Sequence, residues 1–269
     1  FLFNDKFQKQ AGNTTAATFL FSFISSISGL IFLLVINKFQ IDATPFTLLM
    51  AFLTSANIIA YNFCSLKAIE HINLSLYSLF AMLGGMVLPF VTGIIFYDEP
   101  LTLGNTICLV LISIALALTV GKGNKKNKLA TLYYAGVFVL NGMAGVLSKI
   151  YASGDYAKCN EAVFSIWAAF FGALSTGIVL VILRKKMPKI NKKAYLLGTG
   201  YGAINKLANY ILLIALAVLP ASVQYPFVTG GVMIVSTIIS LICGQKPSKK
   251  EVFAVLLSFA GIMALVLIK

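Results

Sequence analysis

The sequence predicts an all-α membrane protein with many spans, and three observations carry that expectation. The 269-residue chain is 59% hydrophobic and only 11% charged, against roughly 25% charge in an ordinary soluble domain. Its mean hydropathy is +0.92, more apolar surface than a soluble chain of this length can hide. The apolar residues fall in long runs divided by short polar linkers. Together these exclude a soluble enzyme, a disordered tail and a nucleic-acid binder. The net charge of +13 reads instead as loop Lys and Arg that set orientation in a membrane.

A helix needs about 20 apolar residues to cross a hydrocarbon core of about 30 Å. Nine runs meet that need. In chain order they are Thr15–Ile36, Pro45–Ile69, Ser75–Tyr97, Leu101–Val120, Leu129–Tyr151, Glu161–Leu183, Ala194–Val218, Ala221–Cys243 and Glu251–Ile268. Each is apolar all round, as a spanning helix requires. The alternating ten-residue segments of a membrane barrel are not visible. No linker is long enough for a soluble domain. Cys64, Cys108, Cys159 and Cys243 lack metal-ligand spacing and read as small hydrophobes. The chain opens on Phe1 with no basic segment or small-residue cleavage site, so no signal peptide is expected.

An internal repeat organises the runs. With a shift of 147 residues, Asn62 falls on Asn209, Ala68 on Ala215, Ser75 on Ser222, Gly84 on Gly231 and Pro100 on Pro247. The turn Tyr97-Asp98-Glu99-Pro100 then matches Gly244-Gln245-Lys246-Pro247. Slightly different shifts place Lys6 on Lys149 and Thr15–Ile36 on Glu161–Leu183. Lys149 ends a whole span, whereas Lys6 has five residues before it. By symmetry most of a first helix is expected to be missing from this chain. The expected arrangement is two five-helix repeats, residues 1–121 and 129–269. An odd number of spans inverts one repeat relative to the other, and such repeats place a substrate site near the midplane where they meet.

The two five-helix halves, Phe96-Tyr97-Asp98-Glu99-Pro100-Leu101 after the fourth helix, and the glycine pairs Gly84-Gly85 and Gly230-Gly231 resemble the ten-helix, EamA-like branch of the drug/metabolite transporter superfamily. The resemblance covers essentially the whole chain through loose motifs. It implies a secondary transporter working by alternating access. In the second half Lys246 stands where that family often has Glu, so no role for that carboxylate is carried over. Gly202-Ala203-Ile204-Asn205-Lys206 also looks like the GALNK motif of GDP-mannose transporters, but there the motif sits one helix later.

Counting the expected first helix as one, alternate loops divide the cations unevenly. Sixteen fall on one side: Lys6, Lys9, Lys67, Lys122, Lys125, Lys126, Lys128, Arg184, Lys185, Lys186, Lys189, Lys192, Lys193, Lys246, Lys249 and Lys250. Four fall on the other: Lys38, Lys149, Lys158 and Lys269. The bias predicts a multi-pass protein of the cell membrane with linkers 121–128 and 184–193 cytoplasmic.

Lys206 fits no loop. It lies 13 residues past Lys193, roughly 20 Å along a helix. A cation at that depth needs a cavity or a partner. Structural pairing or snorkelling is one reading; binding an anionic group, or cycling a proton, is the other. Tyr201, Asn205 and Asn209 share one face of its helix. Thr54, Asn57 and Tyr61 form a similar stripe, with Asn62 beside them, and the two stripes are expected to face each other. Asn donates and accepts, which suits a small polar solute, though such residues also glue bundles together.

Tyr77 and Ser78, matched by Gln224 and Tyr225, open two later helices, and Asn141 is a further candidate. Trp167 is either a stacking wall or an interfacial anchor. Gly84, Gly85 and Pro89, with Pro226, Gly230 and Gly231, read as packing sites, as bending points for gates, or as both. The carboxylates sit near span ends and His71 in a loop-like stretch. No zinc motif, phosphate loop or nucleophile elbow appears, so neither enzyme activity nor a cofactor is expected.

The leading expectation is therefore a secondary active or facilitative carrier of a small polar metabolite, as monomer or homodimer among membrane lipids. Its drive would be a gradient of the solute or of a coupled ion. A flippase for a lipid-linked sugar or headgroup is the alternative, and an intramembrane enzyme a more distant one.

Overall fold

The computed structural model of the chain describes residues 2–12, 14–71, 74–118, 128–242 and 248–268. Linker residues 121–127, Cys243 and the turn 244–247 lie outside the described residues, as do the side chains of Asp5, Glu70, His71 and Ser75. Among the described residues there are ten α-helices and no strand. They are α1 (Leu2–Ala11), α2 (Thr15–Ile36), α3 (Pro45–His71), α4 (Leu74–Phe96), α5 (Leu103–Leu118), α6 (Lys128–Ser153), α7 (Glu161–Ile182), α8 (Lys192–Val218), α9 (Ala221–Ile242) and α10 (Lys249–Leu267).

The nine expected runs correspond to α2 through α10, with ends that agree to within two residues. Eight of them are long and apolar enough to cross a membrane. The exception is α5, whose 16 described residues reach about 24 Å. Large apolar side chains such as Leu196, Val218 and Ile242 point outward at 74%, 81% and 80% exposure. That outward apolar surface suits lipid rather than water. The protein is a multi-pass, all-helical membrane protein.

Polar residues set where several helices start. The Thr14 side chain accepts from the Ala17 N–H and opens α2; Asn160 does the same for α7 with the Val163 N–H. Thr44 accepts from the Thr47 N–H beside Pro45, the first residue of α3. Ser248 and Glu251 form a reciprocal capping box on α10. Each satisfies donors that a helix start leaves open. At the other end of α6, Lys158 donates to Tyr151 O (3.0 Å) and Ala152 O (2.6 Å), a cation placed on the negative end of the helix.

The chain forms two compact units. One comprises residues 1–60 and 150–217, the other 61–149 and 218–269. Each unit therefore takes segments from both sequence halves, and α3 and α6 each begin in one and end in the other.

In the first unit α2 packs on α7 and lies against α8. Ser25 Oγ donates to Gly198 O (3.2 Å) and Ser28 Oγ to Thr199 O (2.7 Å). A Cβ at Gly202 would strike the Ser25 carbonyl, so the two backbones meet there only because Gly has none. A polar knot closes the same unit. Thr47 Oγ1 lies 3.2 Å from Tyr151 Oη, Tyr151 donates to Cys159 O (2.6 Å), and the Cys159 N–H donates back to Thr47 (3.0 Å).

In the second unit α5 and α10 run side by side, with α9 and α4 beside them. Met86, Cys108, Ile112, Ala115, Leu116, Met233 and Ala254 form the buried core among them.

Candidate functional site

Lys206 lies near the middle of α8, in the first unit. Gly198, Gly202 and Lys206 are spaced by four residues and present one ridge to α2. Gly29 of α2 receives the Lys206 stem: a Cβ at Gly29 would collide with Lys206 Cγ and lie 3.1 Å from its Cβ. The side chain is half-buried. Among the described residues its ammonium has no ion-pair or hydrogen-bond partner. A cation held at mid-span without a partner costs at least about 2.5–3.5 kcal/mol.

The polar stripe beside it divides. Asn209 Nδ2 donates to Asn205 O (2.7 Å) and Asn205 Oδ1 (3.2 Å), so these two amides stay together. Asn205 sits about 100° and Asn209 about 60° round α8 from Lys206. Tyr201 instead joins an aromatic cluster, its ring 4.9 Å from Phe21 and 6.2 Å from Phe3. Asn57 is half-buried and engaged with neighbours. Trp167 donates its indole N–H to Asp42 O (2.9 Å), with Phe170 and Phe171 against its ring. That geometry ties α7 to the loop before α3.

In the second unit Tyr77 is buried, and its hydroxyl lies 2.8 Å from Tyr61 Oη and 2.7 Å from Ser65 Oγ. Asn62 is half-buried and engaged, and Gln224 is buried at the start of α9. Asn141 Nδ2 donates to Ala81 O at 2.6 Å, passing 2.7 Å from where a Gly85 Cβ would sit. Tyr225 donates to Gly145 O at 3.1 Å. Both bonds join helices, as glue does.

The glycines and prolines expected as hinges separate in the same way. A Cβ at Gly84 would strike Phe138 O of α6, and one at Gly145 would strike Pro89. Gly230 faces Ile112 and Ile262 at 3.0–3.1 Å. At these positions the absence of a side chain lets the helices pack closely. Gly231 differs: nothing lies within 4 Å of its Cβ position. It follows Pro226, which removes one hydrogen bond from the interior of α9.

One constellation was not expected. Lys149, counted with the loop cations, is buried inside α6, and Glu99, placed among span-end carboxylates, is buried too. Lys149 Nζ lies 2.6 Å from Glu99 Oε1 and 5.2 Å from the Tyr97 ring centre. The Ala221 N–H donates to Oε1 and the Ser222 N–H to Oε2, each at 2.8 Å. The carboxylate thus caps α9 while neutralising Lys149.

Local backbone makes the placement possible. The Tyr97 and Glu99 N–H groups both donate to Gly93 O (3.1 and 3.2 Å), with Asp98 at φ +50°. The turn folds Glu99 back onto Gly93, where any Cβ would hit Oε2. Burial pushes the Glu99 carboxyl up, but Lys149 and the N–H groups of Ser222 and Ala221 outweigh it and hold it below its ordinary range. The sequence carried one signal for this pair: Lys149 falls within the apolar run Leu129–Tyr151, not after it.

No protein-family model and no curated protein matches this chain. It is similar in fold to a solved structure described only as a crystal structure of a protein. The two superpose with a TM-score of 0.81 at 14% identity, over 99% of this chain and 94% of the other. The likeness concerns the fold alone.

Proposed function

We propose that the chain is a secondary active or facilitative transporter of a small polar metabolite. It works by alternating access between two inverted five-helix repeats, in the manner of the ten-helix drug/metabolite transporters that the sequence resembles. The observation that carries the reading is Lys206. It holds an ammonium half-way along a spanning helix with no described partner, and intramembrane charges of that kind mark transport paths. The adjacent Asn205 and Asn209 amides add polar surface of the kind that binds solutes. The Pro226–Gly231 stretch of α9, open on the Gly231 side, supplies a bending point for a gate. The cation bias places linkers 121–128 and 184–193 on the cytoplasmic side of the cell membrane.

The test is reconstitution into liposomes and flux measurement with a panel of amines, amino acids, sugars and organic acids. Saturable flux above that of protein-free vesicles supports the reading. Flux of none of them, with lipid flipping in its place, favours the flippase alternative.

A further inference from the structure

We infer that the solute handled through Lys206 carries a net negative charge, as a small carboxylate or phosphate. This rests on the transport reading above and specifies its substrate class.

Three features of the first unit carry it. The first is depth. Lys206 is 14 residues past Lys192 and 12 before Val218, the two ends of α8, or about 21 and 18 Å. A four-carbon stem covers less than half of either distance, so the ammonium cannot snorkel to an interface. The second is fixation. The stem rests in the notch left by Gly29, and Gly202 sits against the Ser25 backbone one turn earlier. The side chain is held where it is, not trailing from a mobile surface.

The third is the lack of a counter-charge. The one ion pair among the described residues, Lys149 with Glu99, belongs to the other unit. Asp42, Asp98, Glu99 and Asp155 lie between helices, and Glu161 and Glu251 lie in first helical turns. None of these six is in the interior of a spanning helix. The described groups placed against or next to it, Gly29, Gly202 and Asn205, are neutral, and Asn205 Oδ1 already accepts from Asn209, which leaves the Asn205 NH2 as a donor. A cation without an anion, beside a free amide donor, is matched by an acceptor with negative charge. A neutral solute leaves the ammonium uncompensated. A zwitterion brings a second ammonium for which no described carboxylate is at hand.

The experiment uses the full chain in liposomes and probes paired by shape but not by charge: lactate against lactamide, glycerol 3-phosphate against glycerol, and choline as a cation. A parallel melting assay records stabilisation by lactate and by glycerol 3-phosphate. The expected result is flux of the anions and not of their neutral partners or of choline. Lys206→Met then lowers anion flux at least about tenfold, whereas Lys206→Arg keeps a substantial share.

Flux of lactamide, glycerol or choline with the anions excluded overturns the inference while leaving transport intact, and needs no variant to fold. Unchanged anion flux in a folded Lys206→Met protein overturns it as well. So does restoration of Lys206→Met flux by Asp5→Asn, which would make Lys206 a partner of that acid. No flux of any probe, with anion stabilisation present in the wild type and lost in Lys206→Met, removes the transport reading but sustains the anion site. Loss of both flux and stabilisation overturns the inference. Lys206-dependent flipping of phosphatidylglycerol without soluble flux puts the anion on a lipid and overturns the free-solute form.

Discussion

Replacing Lys149 or Glu99 tests how the buried pair holds the second unit together. At the observed 2.6 Å separation, Coulomb's law with an effective dielectric constant of 20 gives about 6 kcal/mol of attraction. Desolvation of two buried ions cancels several kcal/mol of that, and removing one partner from such a pair costs about 3–5 kcal/mol. The two variants should not cost the same. Lys149→Met leaves Glu99 with both N–H donors of α9 and its positive helix end, so its cost falls at or below the bottom of that range, about 2–3 kcal/mol. Glu99→Gln strands the Lys149 ammonium and offers α9 one acceptor oxygen in place of two. It adds about 1–3 kcal/mol for the orphaned N–H and lies at or above the top of the range. The double variant should cost less than the sum of the two, with a coupling of about 2 kcal/mol. Equilibrium unfolding in mixed detergent micelles at neutral pH measures all four proteins. A coupling below about 0.5 kcal/mol, or a Lys149→Met as costly as Glu99→Gln, would refute the reasoning.

The same carboxylate gives a pH dependence. Folded Glu99 titrates below its ordinary range, about 4.3 when unfolded. Its contribution is therefore full above that value and lost as pH falls through the lower folded one; melting curves should show an acid-side loss that Glu99→Gln lacks. Gly84→Ala places a Cβ against the Phe138 carbonyl and should cost about 1–3 kcal/mol by overpacking, read as a lowered melting temperature. Tyr77→Phe strips the hydroxyl between Tyr61 and Ser65 and should cost about 0.5–1.5 kcal/mol in the same unfolding assay. Trp167→Phe loses the bond to Asp42 O and part of the ring packing on Phe170 and Phe171, so liposome flux should stay at the wild-type level while stability drops by at least about 0.5–1.5 kcal/mol.

Much of the fold was legible because lipid imposes one rule on every span. A helix of about 20 apolar residues is what a hydrocarbon core accepts, so run length gave α2 through α10 almost to the residue. The candidate site was legible only in part. Lys206 stood out because a charge inside an apolar run has few innocent explanations, and Asn205 and Asn209 followed by spacing. Tyr201 shares that spacing, yet packs with Phe3 and Phe21. Helical periodicity says which residues share a face; it does not say what that face meets.

The Glu99–Lys149 pair shows the same limit from the other direction. Counting loop charges put Lys149 on a surface, because a cation near the end of a span is usually solvated. Its burial depends on Gly93, the Asp98 turn and the start of α9 at Ala221, segments far apart in sequence.

The sequence by itself determined that this chain crosses a membrane, where α2 through α10 begin and end to within two residues, and that Lys206 is a charge out of place. Those follow from composition and spacing, which are local and act through the solvent. The tertiary structure alone decided which charges are paired. It set Lys149 against Glu99, left Lys206 without a described partner, and turned Gly84 and Asn141 into contacts between helices. Pairing depends on which backbones approach closely enough to bring two side chains within hydrogen-bond reach, and only the packed helices fix that distance.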